Sequence, residues 1–504
     1  MIRPSALLVG ALAVAASVGA QVQLDKFGGG LPGALGLEVR TTANTPYLML
    51  FAFNEQQTPL PTLGITLDIP DTFVSVAVTV PGFLGVTDGA GRASAALALP
   101  ADPIFESVVI SFQAVTGSNP YQVSNLVRVT PQLVGTFKPS LQNPPLPILG
   151  GAVATAPDGG LLFAGGSGPV AQLYKSRTEE WVNGGVAFGV GLLSQSTGLP
   201  DGRVLFTGGL DLTTGQPTAA AAVWDPASGQ TTTLNMGIPR AGHGASLLNN
   251  GRVLITGGFE TLDLTNPIAI FNGLRATSEF FDPTSNTFVP GPTMLEARAL
   301  HSSTTLTNGE VLVAGGLTLL PIINIPTVSQ TAYRFNPNNN SFGLPALFQG
   351  PRFFHSAVAL SDGKVLLCGG LSLDLTTFLQ TGNIADIIIG TRTDCQLYSR
   401  GILGFGSFTT VNGMQEGRAG AAIAPLPNGG ALIAGGFRLT LDIPNSTFEA
   451  TATATADRFA QGPNSITPTG SMAAPRLFPL ATALPDGTIM VVGGGPLEAE
   501  IYQR

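Results

Sequence analysis

The sequence predicts an all-β protein in which a small β-sandwich precedes a seven-bladed β-propeller that is closed by an N-terminal strand. Three observations lead to this prediction. A hairpin signature occurs seven times, further strand-like segments follow most copies, and one strand-like segment stands ahead of the first copy. Repetition of a supersecondary unit every few tens of residues is typical of propellers and related repeat folds.

The signature is represented by LPDGTIMVVGGG, Leu484 to Gly495, in which a turn glycine precedes the first glycine of a doublet by six residues. The seven turn glycines are Gly159, Gly202, Gly251, Gly309, Gly363, Gly429 and Gly487, and they number repeats 1 to 7. Asp or Asn precedes each of them, so we expect two-residue hairpin turns in which that residue tolerates positive φ. Each copy therefore predicts two strands, ended by a glycine doublet.

Two more strands are predicted in most repeats. An aromatic segment such as VWDP (Val223 to Pro226) or FFDP (Phe280 to Pro283) gives the third, and segments such as NTFVP, from Asn286, give the fourth. Successive doublets begin 43 to 66 residues apart. Four short strands at this spacing indicate the blade of a propeller.

The two ends of the array predict closure. Repeat 7 stops after its third strand, EIYQR at Glu500 to Arg504, whereas VGTFKPS at Val134 to Ser140 resembles a fourth strand and precedes repeat 1. Pairing of the two segments would leave no open edge.

The N-terminal part predicts a signal peptide and an accessory module. Arg3 precedes an apolar run and a small-residue site, which indicates cleavage after Ala20 and export to the periplasm or the extracellular space. Alternating segments up to about Thr130 are typical of an antiparallel sandwich. We therefore expect a signal peptide at 1–20, a sandwich at 21–130 and the propeller at 131–504.

Composition narrows the function classes. The formal charge is −8, which argues against nucleic acid as a partner, and no later run is long enough to span a membrane. The two cysteines, Cys368 and Cys395, fall on adjacent predicted strands of repeat 5. A disulfide is the favoured prediction, with free buried thiols and a metal-binding pair as alternatives.

Charged residues recur in register with the turn glycine. Five arginines lie eleven residues before it, at Arg240, Arg298, Arg352, Arg418 and Arg476. One interpretation is that they hold the connections between blades by bonding backbone carbonyls; the other is that they line the channel mouth and bind carboxylates. The three histidines of the chain lie eight residues before the turn glycine, at His243, His301 and His355. They are interpreted as structural residues, with a shared metal site as the alternative.

The loops between the second and third strands are long in repeats 3 to 6, and we expect them to rise as hairpins from one face of the ring. Segments such as PIINIP (Pro321 to Pro326) and IADIIIG (Ile384 to Gly390) are apolar enough to need a cover. Neighbouring hairpins are the favoured cover, with the N-terminal module or a partner as alternatives.

The pattern of arginine, histidine, DG turn and glycine doublet, seen at Arg298 to Gly316, resembles the kelch repeat, and the seven copies resemble the propeller of galactose oxidase-like proteins. That resemblance implies a copper site with two tyrosines, two histidines and a cysteine joined to one tyrosine. One copper histidine of that family follows a tyrosine, but Gly242, Leu300 and Phe354 precede the histidines of this chain. The copper ligand set is not found, and no cofactor is expected.

Three functions remain open. The favoured one is an exported, non-enzymatic kelch-type propeller that binds a glycan or an extracellular protein through the loop-rich face. The second is an enzyme on sugars, an oxidase-like relative or a kelch-type isomerase, with Glu296 or Glu416 as acid/base candidates. The third is a structural protein of the cell surface or matrix. No nucleophile and base pair or paired acidic motif supports an enzyme.

Overall fold

The computed structural model describes residues 21–504 except 118–119, 149–151, 156–159, 165–169, 187–190, 212, 264–266, 321–324, 375, 384–385, 402–405, 443–446 and 496–498. The chain is built mainly from antiparallel β-sheets. The repeated strand and hairpin patterns of the sequence lead to this mainly β architecture. Gly159 and the doublet of repeat 1 lie outside the described residues.

The N-terminal part contains two antiparallel sheets. The first sheet consists of Gln23–Gly28, Gly33–Arg40 and Arg92–Leu99. The second sheet consists of Gln122–Val123, Ile110–Thr116, Pro46–Ala52, Leu84–Val86 and Val127–Val129. One apolar core, which draws its buried residues from Val22 to Val129, joins the two sheets. Alternating burial along the strands of the first sheet directs one of its faces into this core, whereas Pro46–Ala52 and Ile110–Thr116 of the second sheet are buried along nearly their whole length.

Short elements complete the N-terminal part. They are the strand pairs Thr58–Leu60 with Ile65–Leu67 and Gln132–Leu133 with Gly30–Leu31, and the helical turns Asp71–Phe73, Val74–Ala77 and Pro103–Ser107.

Seven further sheets each contain a row of four paired strands, and in repeats 1 to 6 these four strands pair in the order in which they occur along the chain. In repeats 1 to 3 the strands are Ala152–Thr155, Leu161–Ala164, Val170–Lys175 and Glu180–Val186; Gln195–Gly198, Val204–Thr207, Ala220–Asp225 and Gln230–Asn235; Gly244–Leu247, Val253–Thr256, Ser278–Asp282 and Thr287–Pro290. In repeats 4 to 6 they are Ser302–Thr305, Val311–Ala314, Thr331–Asn336 and Ser341–Phe342; Ser356–Ala359, Val365–Cys368, Cys395–Arg400 and Gly406–Val411; Ala422–Pro425, Ala431–Ala434, Ala456–Ala460 and Ser465–Pro468. In repeat 4, Ala346–Leu347 also pairs with the third strand.

The seventh sheet takes one strand from outside its repeat. Leu480–Ala483, Ile489–Val492 and Glu500–Tyr502 pair in order, and Phe137–Pro139 pairs with Glu500–Tyr502. The pairing expected between the segment ahead of repeat 1 and the end of repeat 7 is therefore present. Phe137 faces Tyr502 in this register, with ring centroids 5.0 Å apart.

First strands of successive repeats lie side by side, from Ala152–Thr155 through to Leu480–Ala483, and the strand of repeat 7 also lies beside that of repeat 1. Apolar side chains of the second strands fill the space between neighbouring sheets, for example Val253 and Ile255 beside Leu205. Burial of apolar area between sheets is the main favourable term for such stacking.

The hairpin turns differ from the prediction. In repeat 2 the Gly202 amide donates to Leu199 and the Leu199 amide donates to Arg203, so the loop has three residues. Positive φ falls on the glycine alone, at 86° for Gly202, and not on the preceding Asp or Asn in the six described repeats. The structure therefore has a tight turn followed by a glycine bulge, which an Asp-Gly pair also favours. The Asp201 side chain instead accepts a bond from the Arg203 amide, at 3.1 Å.

Candidate functional site

The glycine doublets join neighbouring repeats at their inner ends. The amide of the second doublet glycine donates to the carbonyl eleven residues before the next turn glycine, as Gly258 does to Arg298 at 2.8 Å. Six such bonds are described, from Gly209, Gly258, Gly316, Gly370, Gly436 and Gly494. The last of them runs from repeat 7 to Ile148 of repeat 1, at 2.9 Å.

Close backbone contact explains why the doublet is glycine. A Cβ on Gly257 would lie 2.3 Å from the Arg298 carbonyl oxygen, and Gly257 has φ +60°. A side chain would collide there, so the doublet serves the contact between repeats as well as the end of the strand.

The five recurring arginines are buried inside their own repeats, with 0 to 1% of each residue exposed. In each case one terminal nitrogen donates to the carbonyl of the first doublet glycine, as Arg240 does to Gly257 at 2.6 Å. The same bond is made by Arg298, Arg352, Arg418 and Arg476 to Gly315, Gly369, Gly435 and Gly493. The arginine therefore fastens the end of the second strand to the first.

Each guanidinium also meets a carboxylate of the protein. The ion pairs are Arg240 with Glu279, Arg298 with Glu296, Arg352 with Asp394, Arg418 with Asp457 and Arg476 with Glu500, at 2.7 to 3.1 Å. Burial lowers the pKa of Arg352 to about 10, which still leaves it charged at neutral pH. The arginine side chains do bond carbonyls, but those of the doublet glycines belong to the same repeat, so these bonds do not connect neighbouring blades as one interpretation expected. Ligand binding by these arginines stays a prediction.

The acidic partners follow a pattern that the sequence analysis missed. Glu279, Asp457 and Glu500 lie on the third strands of their repeats. Each is paired with the second-strand residue that stands two positions before the glycine doublet. The recurrence of an acidic residue at this strand position, together with the recurring arginine, could have predicted the buried ion pairs from the sequence. A buried arginine needs a carboxylate partner, since an unpaired buried charge is very costly.

The histidines join neighbouring repeats. His243, His301 and His355 are each less than a tenth exposed, and their Nε2 atoms lie 2.9, 3.0 and 2.9 Å from the hydroxyls of Thr207, Thr256 and Ser302. Each hydroxyl belongs to the preceding repeat. Burial, with a smaller contribution from Arg240, lowers the pKa of His243 to about 3. Burial and, to a smaller extent, neighbouring arginines also lower the pKa values of His301 and His355. All three imidazoles are therefore neutral at pH 7.

The acid/base candidates also serve the fold. Glu296 accepts bonds from Arg298, from the Thr331 hydroxyl at 2.9 Å and from the Tyr333 hydroxyl at 2.9 Å. Glu416 accepts from the hydroxyls of Thr453 and Thr455. Burial alone would raise the pKa of Glu416, but these hydroxyls and Arg418 outweigh it and hold the pKa below its ordinary value. Among the described residues, no group of three or more His, Cys, Asp or Glu is placed to hold a metal ion.

A set of residues nine positions before the turn glycine adopts positive φ in six repeats. They are the central residues Leu193, Gly242, Leu300, Phe354, Gly420 and Phe478, with φ between 51° and 62°. This conformation is strained for leucine and phenylalanine. The amide of Leu300 donates to Gly242, that of Phe354 to Leu300, and that of Gly420 to Phe354. This belt of hydrogen bonds between repeats holds the strained residues in place.

The four central residues other than glycine, which are leucines and phenylalanines, pack against one apolar cluster. The rings of Phe354 and Phe478 lie 5.5 Å apart, and Phe437 lies 4.9 Å from Phe478. Leu193 and Leu300 belong to the same cluster. The sequence analysis missed this feature, because only Gly242 and Gly420 are of a residue type that favours positive φ, and leucine and phenylalanine rarely adopt it.

Hairpins rise beside this cluster in repeats 4, 5 and 6. Their paired strands are Leu317–Leu319 with Pro326–Val328, Leu371–Asp374 with Ile388–Thr391, and Phe437–Asp442 with Thr447–Ala452. Repeat 3 differs from the expected hairpin, because its chain passes through a 3-10 helix at Pro267–Gly273. Repeat 5 adds a short helix at Thr376–Thr381.

Neighbouring hairpins contact one another along the face. The amide of Leu439 in repeat 6 donates to the Thr391 hydroxyl of repeat 5, at 3.1 Å, and the strands of repeats 4 and 5 also lie in contact. The expected cover of one hairpin by the next is therefore partial. Ile388 remains 62% exposed and Leu320 41% exposed.

A cleft of 470 Å³ opens between the hairpins of repeats 4 and 5. Its apolar lining comes from Leu320, Ile325, Pro326, Pro351, Leu373 and Ile388. Ser372, Asp374 and Thr376 supply polar groups at its side. Most of PIINIP and part of IADIIIG lie outside the described residues.

Cys368 and Cys395 face each other on adjacent strands of repeat 5 and are joined by a disulfide. Both residues are buried. Within the part of the chain that the structure describes, no helix has the length and hydropathy needed to cross a membrane.

No protein-family model and no curated protein matches the chain. Among solved structures the chain is similar to a fungal alcohol oxidase of the AA5 family in complex with copper, described as having catalytic diversity among that family. The sequence identity is 16%, the TM-score is 0.37, and the match covers 62% of this chain and 73% of the oxidase chain.

Proposed function

We propose that this chain is a non-enzymatic binding protein and that the cleft between the hairpins of repeats 4 and 5 receives an apolar segment of a protein partner. The observation that carries the proposal is the cleft itself. Exposed aliphatic side chains such as Leu320 and Ile388 meet there on two hairpins that support each other. Concave apolar surfaces with few polar groups are the usual sites of recognition.

The lining favours a protein segment over a sugar. Leucine, isoleucine and proline side chains surround the cleft, and Asp374 and Thr376 supply hydrogen-bonding groups at one side. Burial of aliphatic area contributes about 25 cal/mol per Å², so a partner with apolar side chains would gain most from this surface. A polyhydroxylated ligand would have to lose water against groups that return no hydrogen bonds.

The inner ends of the repeats support a binding function over catalysis. The arginines, the histidines, Glu296 and Glu416 are engaged with partners inside the protein. Each of these residues makes hydrogen bonds or an ion pair that connect parts of one repeat or two neighbouring repeats. The central residues add apolar side chains to the same face.

We further propose the architecture on which this face rests, a closed seven-bladed kelch-type propeller at residues 131–504 preceded by a β-sandwich domain at 21–130. The pairing of Phe137–Pro139 with Glu500–Tyr502 and the bond from Gly494 to Ile148 support closure. The separate core of the N-terminal sheets supports a domain of its own. We propose export with cleavage after Ala20, and the disulfide supports it because such bonds persist in oxidising compartments.

Site-specific photocrosslinking tests the binding face. Both native cysteines are engaged in the disulfide, so a cysteine introduced by Ile388→Cys can be labelled with a benzophenone reagent. Leu344→Cys is the matched control, since Leu344 is 75% exposed and lies outside the cleft. The labelled proteins are irradiated with the envelope fraction of the cells that make the chain. A defined protein adduct from position 388 that is missing from position 344 is expected. Equal adducts from both positions, or none, would contradict the proposal.

A further inference from the structure

A larger cavity lies on another part of the molecule, between the first strand of the N-terminal part and the turns of repeats 1 and 7. This cavity, the joint pocket, has a volume of 870 Å³. Its lining comes from the strand Gln23–Gly28, from Arg40, from Arg177 and from Asp486. Pockets of this size hold small molecules and occur preferentially where structural units meet.

Buried charges fix the joint. The Lys26 ammonium is 2.6 Å from Glu179 and 3.6 Å from Asp486, and it also donates to the Arg128 carbonyl at 2.7 Å. Arg128 in turn bonds Glu55 and Glu180. These contacts connect the N-terminal sheets to repeats 1 and 7. The walls of the joint pocket are therefore held in position before any ligand arrives.

Glu179 adopts an unfavourable backbone conformation to make this connection. Its φ is 56°, whereas the residues that occupy the same turn in other repeats are the ones that tolerate positive φ best: Gly229, Asn286, Asn340 and Asn464. Of the five repeats compared, repeat 1 has an acidic residue at this turn position, and the other four have asparagine or glycine. The ion pair with Lys26 offsets the strain, since such outliers persist only where their surroundings fix them.

Alternation along the first strand directs Gln23, Asp25 and Phe27 to one face, while Leu24 and Lys26 are buried on the other. Phe27 lies opposite Gly36 on the neighbouring strand. Because glycine has no side chain, the residue directly opposite leaves the ring uncovered, and Phe27 is 39% exposed and lines the pocket.

Hydrogen-bonding donors and acceptors line the same pocket as the ring. Asp25 accepts from Arg177 at 2.7 Å and from Gln23 at 2.7 Å, and Arg40 lies 3.7 Å from it. Arg40 is also paired with Glu38 and is 43% exposed at its side chain. Acids and bases thus alternate at close distance, and neither sign of charge dominates the pocket.

This combination fits a neutral ligand with many hydroxyl groups. Carboxylate and amide oxygens accept bonds from hydroxyls, and guanidinium groups donate to them. An exposed aromatic ring covers an apolar face, which sugars present through their C–H groups. A simple ion would need an excess of one charge. We propose that the joint pocket binds a short neutral oligosaccharide, with Phe27 against a sugar ring and with Asp25, Arg40 and Gln23 on its hydroxyls.

The test uses the full chain and a set of neutral oligosaccharides, from disaccharides to hexasaccharides of glucose, galactose, mannose, xylose and N-acetylglucosamine, measured by titration calorimetry. We expect saturable binding of at least one series with a dissociation constant below about 1 mM. Phe27→Ala should weaken it about tenfold, because the stacking surface is lost. Phe53→Ala is the matched control, since Phe53 is 53% exposed in the N-terminal part but does not line the pocket.

The outcomes separate clearly. Binding that is weakened by Phe27→Ala and kept by Phe53→Ala supports the site, and comparison of the free oligosaccharide with its polysaccharide shows whether a chain end or a free sugar is bound. Lack of binding to every series at about 10 mM, or equal binding by Phe27→Ala and the unchanged chain, would overturn it. The hairpin cleft lies elsewhere, so its crosslinking test can succeed or fail independently.

Discussion

The inner ends of the repeats and the hairpin face use their side chains in opposite ways. At the inner ends, charged residues such as Arg418 and Asp457 are fully buried and bonded to each other. On the hairpin face, apolar residues such as Ile388 are exposed and unevenly distributed among the repeats. The charged residues that recur among the repeats therefore stabilise the fold, whereas the exposed apolar residues of the hairpins differ from one repeat to the next. Four changes can break or sharpen this contrast.

The largest effect is expected from Arg418→Met. The substitution removes the guanidinium from the buried Asp457 carboxylate, which keeps the Gln415 amide at 3.3 Å, and from the Thr455 carbonyl, which keeps the Gly435 amide. Breaking a buried ion pair costs about 3 to 5 kcal/mol, so the free energy of unfolding in urea should fall by about 4 kcal/mol. Arg438→Met is the control, because Arg438 is exposed on a hairpin strand and should change stability by less than about 0.5 kcal/mol. Similar losses for both variants would contradict a structural role specific to the recurring arginines.

Gly257→Ala should have the next largest effect. Its Cβ would lie 2.3 Å from the Arg298 carbonyl oxygen in a backbone with φ +60°, so steric overlap and strain together should cost about 3 kcal/mol. Gly462→Ala provides the comparison, since nothing lies within 4 Å of its added Cβ. Thermal unfolding of the two variants measures the difference. If Gly257→Ala unfolded at the same temperature as the unchanged chain, the contact between the repeats could not be as close as described.

Acid sensitivity should follow from the buried histidines. The pKa of His355 is lowered from 6.5 to about 3, by burial first and then by Arg352. Below pH 6.5 the unfolded state binds a proton that the folded state does not, so stability is lost as the pH falls from about 6.5 towards 3. At pH 5 the loss is about 2 kcal/mol for this histidine.

His355→Gln should remove that share of the acid sensitivity. The difference in unfolding free energy between pH 7 and pH 5, measured in urea, should shrink by about 2 kcal/mol in this variant. Ser302→Ala deletes the hydroxyl partner but keeps the imidazole, so it should retain the sensitivity. An unchanged pH dependence in His355→Gln would mean that the imidazole is protonated in the folded protein.

The smallest effect on stability is expected from Ile388→Lys. Ile388 is 62% exposed, so the free energy of unfolding should change by less than about 0.5 kcal/mol. Its effect on partner binding should nevertheless be large, because a lysine would place a charge in an apolar cleft. A large loss of stability, seen by urea unfolding, would show that this face belongs to the core of the fold.

The repeat pattern was enough to predict the order of strands and the pairing of the segment at Val134 to Ser140 with the end of the chain. These predictions could be made because tight turns and strand ends require particular residues, above all glycine and Asp-Gly or Asn-Gly pairs, which can be read from the sequence. The turn type was wrong, because a two-residue turn and a turn with a glycine bulge favour the same residue pair. The 3-10 helix of repeat 3 was missed for a similar reason, since an apolar loop carries no strand or helix period of its own.

The candidate site was harder to predict than the fold. Arginines are usually exposed, so the sequence left open a mouth that binds carboxylates, and the burial of Arg240 depends on Glu279, which lies 39 residues away. The positive φ of Phe354 depends on hydrogen bonds to neighbouring repeats. Both are properties of the assembled sheets. The hairpin cleft likewise requires two loops to meet, and neither loop indicates this alone.

The affinity of the crosslinked partner for three forms of the full chain tests the central claim most directly. The unchanged chain, Ile388→Lys and Leu344→Lys are compared by calorimetry after unfolding curves establish equal stability. We expect Leu344→Lys to bind like the unchanged chain and Ile388→Lys to bind at least about tenfold more weakly, a difference of about 1.4 kcal/mol. Equal affinity of all three forms would contradict binding at the cleft between the hairpins.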